Sequence, residues 1–177
     1  MAVYNRQGKT VLFQPVHRKE ADIMLGNVIE YLDDRHVHYA TIRHPQAFTA
    51  QESAASAHIP GKILAKTVIV KMDGRMAMAV LPASYQIDFL LLKAVTGADQ
   101  VELATEDDFK DLFPHYEIGA MPPFGNLFGL EVFVAESLAE NEDIAFNGGS
   151  HVAIIKMAYQ DFVELVHPTV IRFSYHH

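Results

Sequence analysis

The sequence predicts a single α/β domain with a mixed sheet, on three observations. Its 177 residues fall within the span of one domain, about 100 to 200 residues. With 50% hydrophobic and 20% charged residues it has a globular composition. A chain of this size buries on the order of 70% of the surface it exposes when unfolded, so its core needs no staples. Segments of helical period alternate with short β-branched runs, and no fixed-period repeat interrupts them.

The elements follow in order. Ala21, Leu25, Val28, Ile29 and Leu32 recur at helical spacing and place an amphipathic helix over Ala21 to Leu32. A short strand, Val37 to Ile42, leads to His44-Pro45. Thr49 and Glu52 then form a capping box that opens a helix ending before Pro60-Gly61. Thr67 to Val70 and Met76 to Leu81 flank Asp73-Gly74 and read as a hairpin. Gln86 to Val95 reads as a helix stopped by Gly97, Val101 to Ala104 as extended, and Thr105 with Asp108 as a cap on a helix reaching Phe113-Pro114. Leu130 to Ala135, Ile144 to Asn147 and Val152 to Met157 read as strands, Tyr159 to Val166 as a helix, and Thr169 to Phe173 as a last strand.

Composition narrows the chemistry. Without cysteine there is no disulfide framework, thiolate nucleophile, zinc ribbon or cysteine-bound iron–sulfur cluster, and a cytoplasmic location is expected. A net charge of -8 argues against wrapping a nucleic-acid duplex on a basic face, so any such contact must be local. Met1 to Phe13 lacks the apolar run of a signal peptide or membrane helix, so a soluble, unprocessed protein is expected. The sequence has no Walker loop, no GxGxxG, no HExxH and no GxSxG elbow. His36 and His38 would share a strand face with His44 close by, a weak metal reading because no carboxylate falls at ligand spacing. The expected set of cofactors and metals is therefore empty.

Three segments could carry chemistry. Lys66 shares a strand face with Val68 and Val70, so it is either a snorkelling lysine or a fixed positive charge at a pocket mouth. Gly119-Ala-Met-Pro-Pro-Phe-Gly125 is either a plain turn or a stiff loop whose Ala120 and Met121 amides hold a carbonyl oxygen as charge builds on it. Phe146-Asn-Gly-Gly-Ser-His151 has a tight-turn signal at Asn147-Gly148. It would set Ser150 and His151 at the start of a returning strand, with one of the two facing the pocket.

Together, Ala65-Lys-Thr-Val-Ile-Val70, the Gly-x-x-x-Pro loop Gly119 to Pro123 and Ile144-Ala-Phe-Asn-Gly-Gly-Ser-His151 resemble the YbaK and prolyl-tRNA synthetase editing-domain family of aminoacyl-tRNA deacylases. The resemblance implies an N-terminal extension over 1–21 and an editing domain over 22–174, with a mixed, partly barrel-like sheet flanked by helices. It implies trans-editing hydrolysis of a mischarged aminoacyl-tRNA, water attack being assisted by the substrate's own ribose hydroxyl. Lys66, Gly119, Ala120, Met121 and Pro123 would be catalytic. Asn147, Ser150, His151, Lys62 and Lys71 would bind substrate, with Arg75 a further phosphate contact, and only the acceptor end of the tRNA would enter. The chain departs from common members at Pro122, at Gly149 and in its extension. The alternative is a non-catalytic module that binds an amino acid or aminoacyl-tRNA in the same pocket. Which amino acid is removed, whether a synthetase docks and what the oligomeric state is stay open.

Overall fold

The computed structural model describes residues 28–176, and before them the backbone of two paired strands, β1 (Val3–Tyr4) and β2 (Thr10–Val11). The expected extension and the first part of the expected 21–32 helix lie outside the described residues, and the helix is described over 28–34 (α1). The remaining strands are β3 (Tyr39–Arg43), β4 (Leu64–Met72), β5 (Arg75–Pro82), β6 (Tyr85–Ile87), β7 (Val101–Leu103), β8 (Glu131–Ala135), β9 (Asp143–Asn147), β10 (Ala153–Ala158), β11 (Thr169–Ile171) and β12 (Ser174–His176). The helices are α2 (Ala50–Ser56), α3 (Phe89–Thr96), α4 (Glu106–Phe109), α5 (Glu136–Ala139) and α6 (Tyr159–Val166). No described helix is long and apolar enough to cross a membrane.

The large sheet runs β11-β8-β5-β4-β9-β10-β3. It is mixed, as expected: β4 pairs antiparallel with β5 and parallel with β9, and β5 pairs parallel with β8. Asp73 and Gly74, with φ of 50° and 78°, make the turn between β4 and β5, which suits residues that tolerate left-handed backbone. The sheet forks at β4. On the edge away from β5, β9 pairs with Leu64 and Ala65 while β7 pairs with Val70 to Met72 and the Ala104 amide donates to Ile69 O at 3.0 Å, so residues 66–68 have no ladder partner there.

Period-2 alternation sends β4 side chains to two cores. Ala65 and Ile69 join Val80, Val134, Phe146 and Ile155 in the larger one, covered by α1, α6 and the segment around Phe113 to Phe124. Leu64 lies on the opposite face in a cluster with Ala54 of α2, and Val70 in another with Leu92 of α3. Lys66 lies between these last two along the same face, a charge interrupting an apolar surface.

The structure corrects several boundaries. Residues 85–87 are strand rather than helix, because they pair with β12; Asp88 then caps α3 by accepting from the Leu91 amide at 2.9 Å. The 105–113 helix is a single turn, α4, continued by a 3-10 turn at Lys110–Leu112. The last strand divides into β11 and β12, and His176 belongs to the fold, pairing with Tyr85.

Candidate functional site

The described residues include five buried polar or charged side chains: His44, Ser53, Asn147, Ser150 and His151. Each has an atom without a hydrogen-bond partner: His44 Nε2, Ser53 Oγ, Asn147 Oδ1, Ser150 Oγ and His151 Nδ1. Leaving such a group unsatisfied costs about 1–3 kcal/mol, so a concentration of them marks where something polar is to be received.

Most of these groups converge through the turn after β9. The expected returning strand does not begin at Ser150. Gly148 N–H donates to Ala153 O at 3.0 Å, β10 starts at Ala153, and Ser150 and His151 lie in the turn. Strand alternation therefore does not apply to them, and both are buried. Gly149, at φ 104°, bonds outward instead of across the hairpin. Its amide donates to Ala120 O at 3.0 Å and its carbonyl accepts from Glu117 N at 2.9 Å. The Gly119–Pro123 loop is thereby tied to this turn.

His151 completes the tie. Its amide donates to Glu117 Oε2 at 2.6 Å, and its ring Nε2–H donates to Ile118 O at 2.9 Å, since a carbonyl can only accept. That tautomer leaves Nδ1 as an acceptor. His44 is arranged in the same sense: Nδ1–H donates to Pro45 O at 2.7 Å, so the buried Nε2 is an acceptor. Burial is the main cause that lowers the His44 pKa; its bond to Pro45 opposes this, and the closeness of the His151 ring disfavours a second proton there and lowers it further. From the sequence His44 stands out only in the weak metal reading with His36 and His38; the signal for a place beside this turn is a His-Pro pair just ahead of a capping box.

Lys66 enters from β4. In the β4–β9 register Leu64 faces Ala145 and Ala65 faces Phe146; the ladder ends there, one residue short of Lys66 and Asn147, which by alternation share a face of the sheet. Burial lowers its pKa, and its ammonium donates only weakly, to Ala83 O at 3.5 Å. Among the described residues no hydrogen bond joins Lys66 directly to the Gly119–Pro123 loop.

The loop differs in detail from expectation. Gly119 takes φ 85°, and a Cβ there would meet His151 Cε1 at 3.6 Å. The Ala120 amide, expected to be a free donor, closes a turn to Glu117 O at 2.9 Å. Gly119 N–H points at Met121 Sδ at 3.3 Å, a weak acceptor, and the Met121 amide has no partner among the described residues. Pro122 and Pro123 are buried, leading into Phe124 in the core. Lys71 is already engaged: β7 sets Glu102 opposite it, and it pairs with Asp108 at 2.9 Å and Glu102 at 3.8 Å, so a phosphate would compete with two carboxylates for it. Lys62 is exposed beside the start of β4. His36 lies in the α1–β3 turn at φ 56°, not on a strand, and no group of three His, Asp or Glu is placed for a metal among the described residues.

The sequence profile of the aminoacyl-tRNA editing domain matches residues 44–165, from His44 to the end of α6, which encloses every element of this site. The chain belongs to the aminoacyl-tRNA editing domain family. The proline–tRNA ligase of Staphylococcus saprophyticus is 28% identical over 129 residues, covering 71% of this chain and 22% of the ligase. The matched region thus spans about a fifth of that relative. The fold is that of a candidate trans-editing enzyme for prolyl tRNA synthetase, with a TM-score of 0.74 and 18% identity, covering 86% of this chain and 97% of the other. A structurally characterised hypothetical protein matches equally, at TM-score 0.74 and 23% identity over 84% of this chain and 99% of its own. The resemblance to the prolyl-tRNA synthetase editing domains, and the mixed sheet flanked by helices, are borne out.

Proposed function

We propose that this editing domain hydrolyses the ester between a wrong amino acid and its tRNA, acting in trans on the acceptor end. The reading is carried by the cluster of buried, unpartnered polar atoms at the turn after β9, tied to the Gly119–Pro123 loop. The chain has no cysteine, and among the described residues no Ser-His-carboxylate arrangement supplies a nucleophile, so the reaction draws on positioning and charge stabilisation.

In this reading the water oxygen bonds to the ester carbonyl carbon and the bond from that carbon to the ribose oxygen breaks. The proton passes to the leaving oxygen by way of the neighbouring ribose hydroxyl. The amides of Gly119 and Met121 receive the carbonyl oxygen, the former by exchanging its weak contact with sulfur. One such donor is worth about 3 kcal/mol. Lys66 supplies positive charge, and Asn147, Ser150 and His151 hold the aminoacyl group and its ribose, with Lys62 available to a phosphate. The prolyl-tRNA synthetase system is the natural source of the substrate, given the ligases it resembles.

Incubation with tRNAs carrying Ala, Cys, Ser or Thr tests this. Enzyme-dependent release of at least one amino acid is expected. Saturable binding without release of any would instead establish a binding module.

A further inference from the structure

We propose that Phe48 is the stacking platform for the base of the substrate's terminal adenosine, an inference that rests on the deacylase reading above. An exposed aromatic side chain by itself is ordinary. Phe48 is distinguished by how firmly it is held and by what it covers. Its ring is 70% exposed, yet its backbone is fixed at the start of α2, where the amides of Phe48 and Thr49 both donate to Glu52 Oε2, at 3.0 and 3.2 Å. The preceding segment is bonded along the site turn, His44 N–H to Val152 O at 3.0 Å and Ala47 N–H to His151 O at 3.1 Å.

This brings the Phe48 ring to 5.6 Å from the His151 ring, centroid to centroid, at 50°. The far side of the His151 ring is anchored by its Nε2–H bond to the Ile118 backbone carbonyl at 2.9 Å. The site therefore has two zones. Inside are buried acceptors, His151 Nδ1 and His44 Nε2 among them, suited to the polar aminoacyl end. Outside is the exposed apolar side chain of Phe48, suited to a flat group that keeps one edge in water. The substrate offers one such group next to the ester, the base on the esterified ribose. Stacking on an aromatic ring serves any base, so the platform adds affinity without reading sequence.

The chain has no tryptophan, so Phe48→Trp carries the only indole in the protein. Its fluorescence should be quenched saturably by adenosine 5′-monophosphate and not by ribose 5-phosphate. Fluorescence indifferent to the nucleotide would overturn the proposal. Phe48→Ala should raise KM for the mischarged tRNA on the order of tenfold with kcat little changed, and Phe48→Tyr should restore it. A fall in kcat at constant KM would overturn it as well. If the wild-type protein releases no amino acid, the deacylase reading fails while the quenching experiment still decides the platform. If it does release one and the indole is not quenched, only the platform fails.

Discussion

In the proposed reaction Lys66 is the residue on which most depends: it sits between two apolar clusters, and among the described residues its ammonium bonds only to the Ala83 carbonyl, at 3.5 Å. Lys66→Ala should lower kcat for deacylation on the order of a hundredfold while leaving the melting temperature at or above that of the wild type, since it removes a desolvated charge. An active variant of equal stability would show a lysine that only snorkels. At Gly119, φ 85° excludes a β-branched side chain, and the added atoms would be pushed toward His151. Gly119→Val should therefore cost activity by moving the loop amides, read as a loss of kcat in the same assay. His44 gives a pH signature. Its folded pKa lies below 6.5, so as pH falls through that value the unfolded chain takes up a proton that the folded protein refuses, and stability drops. Urea midpoints between pH 7 and 5 should fall more steeply for the wild type than for His44→Gln.

At the scale of elements, Lys71 of β4 is partnered by two carboxylates, Glu102 of β7 and Asp108 of α4. Lys71 and its bond hold Asp108 at a pKa of about 2, below the ordinary 3.8, with the Thr105 hydroxyl and amide adding to the effect. A depressed carboxylate stabilises the fold above its ordinary value and loses that contribution as pH falls toward 2. Melting curves between pH 5 and 2 should show a smaller acid loss in Asp108→Asn than in the wild type. The same elements show what could be read from the chain. Tyr159–Val166 was legible to the residue, and the Asp73-Gly74 turn and the Thr49 capping box were legible from local chemistry. Residues 85–87 were not, because the partner that makes them a strand lies at 174–176, beyond any local window. Nor was the length of the turn after Asn147. Asn-Gly favours two residues, but Gly149 is used to bind the 117–120 segment, and that contact cannot be seen in period or propensity. For the candidate site, the sequence singles out Lys66, Gly119 and His151 by residue type and local pattern, whereas the engagement of the Ala120 amide and of Lys71 depends on neighbours across space.

Across the whole molecule, the loop and the core are joined at Phe124. Its ring is fully buried and meets Tyr31, Phe146 and Phe162 edge to face, with centroids at 5.8, 5.4 and 5.7 Å. Phe124→Ala should destabilise by about 3–5 kcal/mol, measured by urea unfolding, and should loosen the prolines that precede it. The fork at β4 has a different consequence. Residues 101–103 and 143–147 flank the same unladdered stretch of backbone, although some forty positions of chain, roughly, separate them. β7 and the inner edge of β9 both take their ladder bonds from β4, so loosening β4, as in Ile69→Ala, should speed amide hydrogen exchange in both together, even though neither is continuous with the other in sequence.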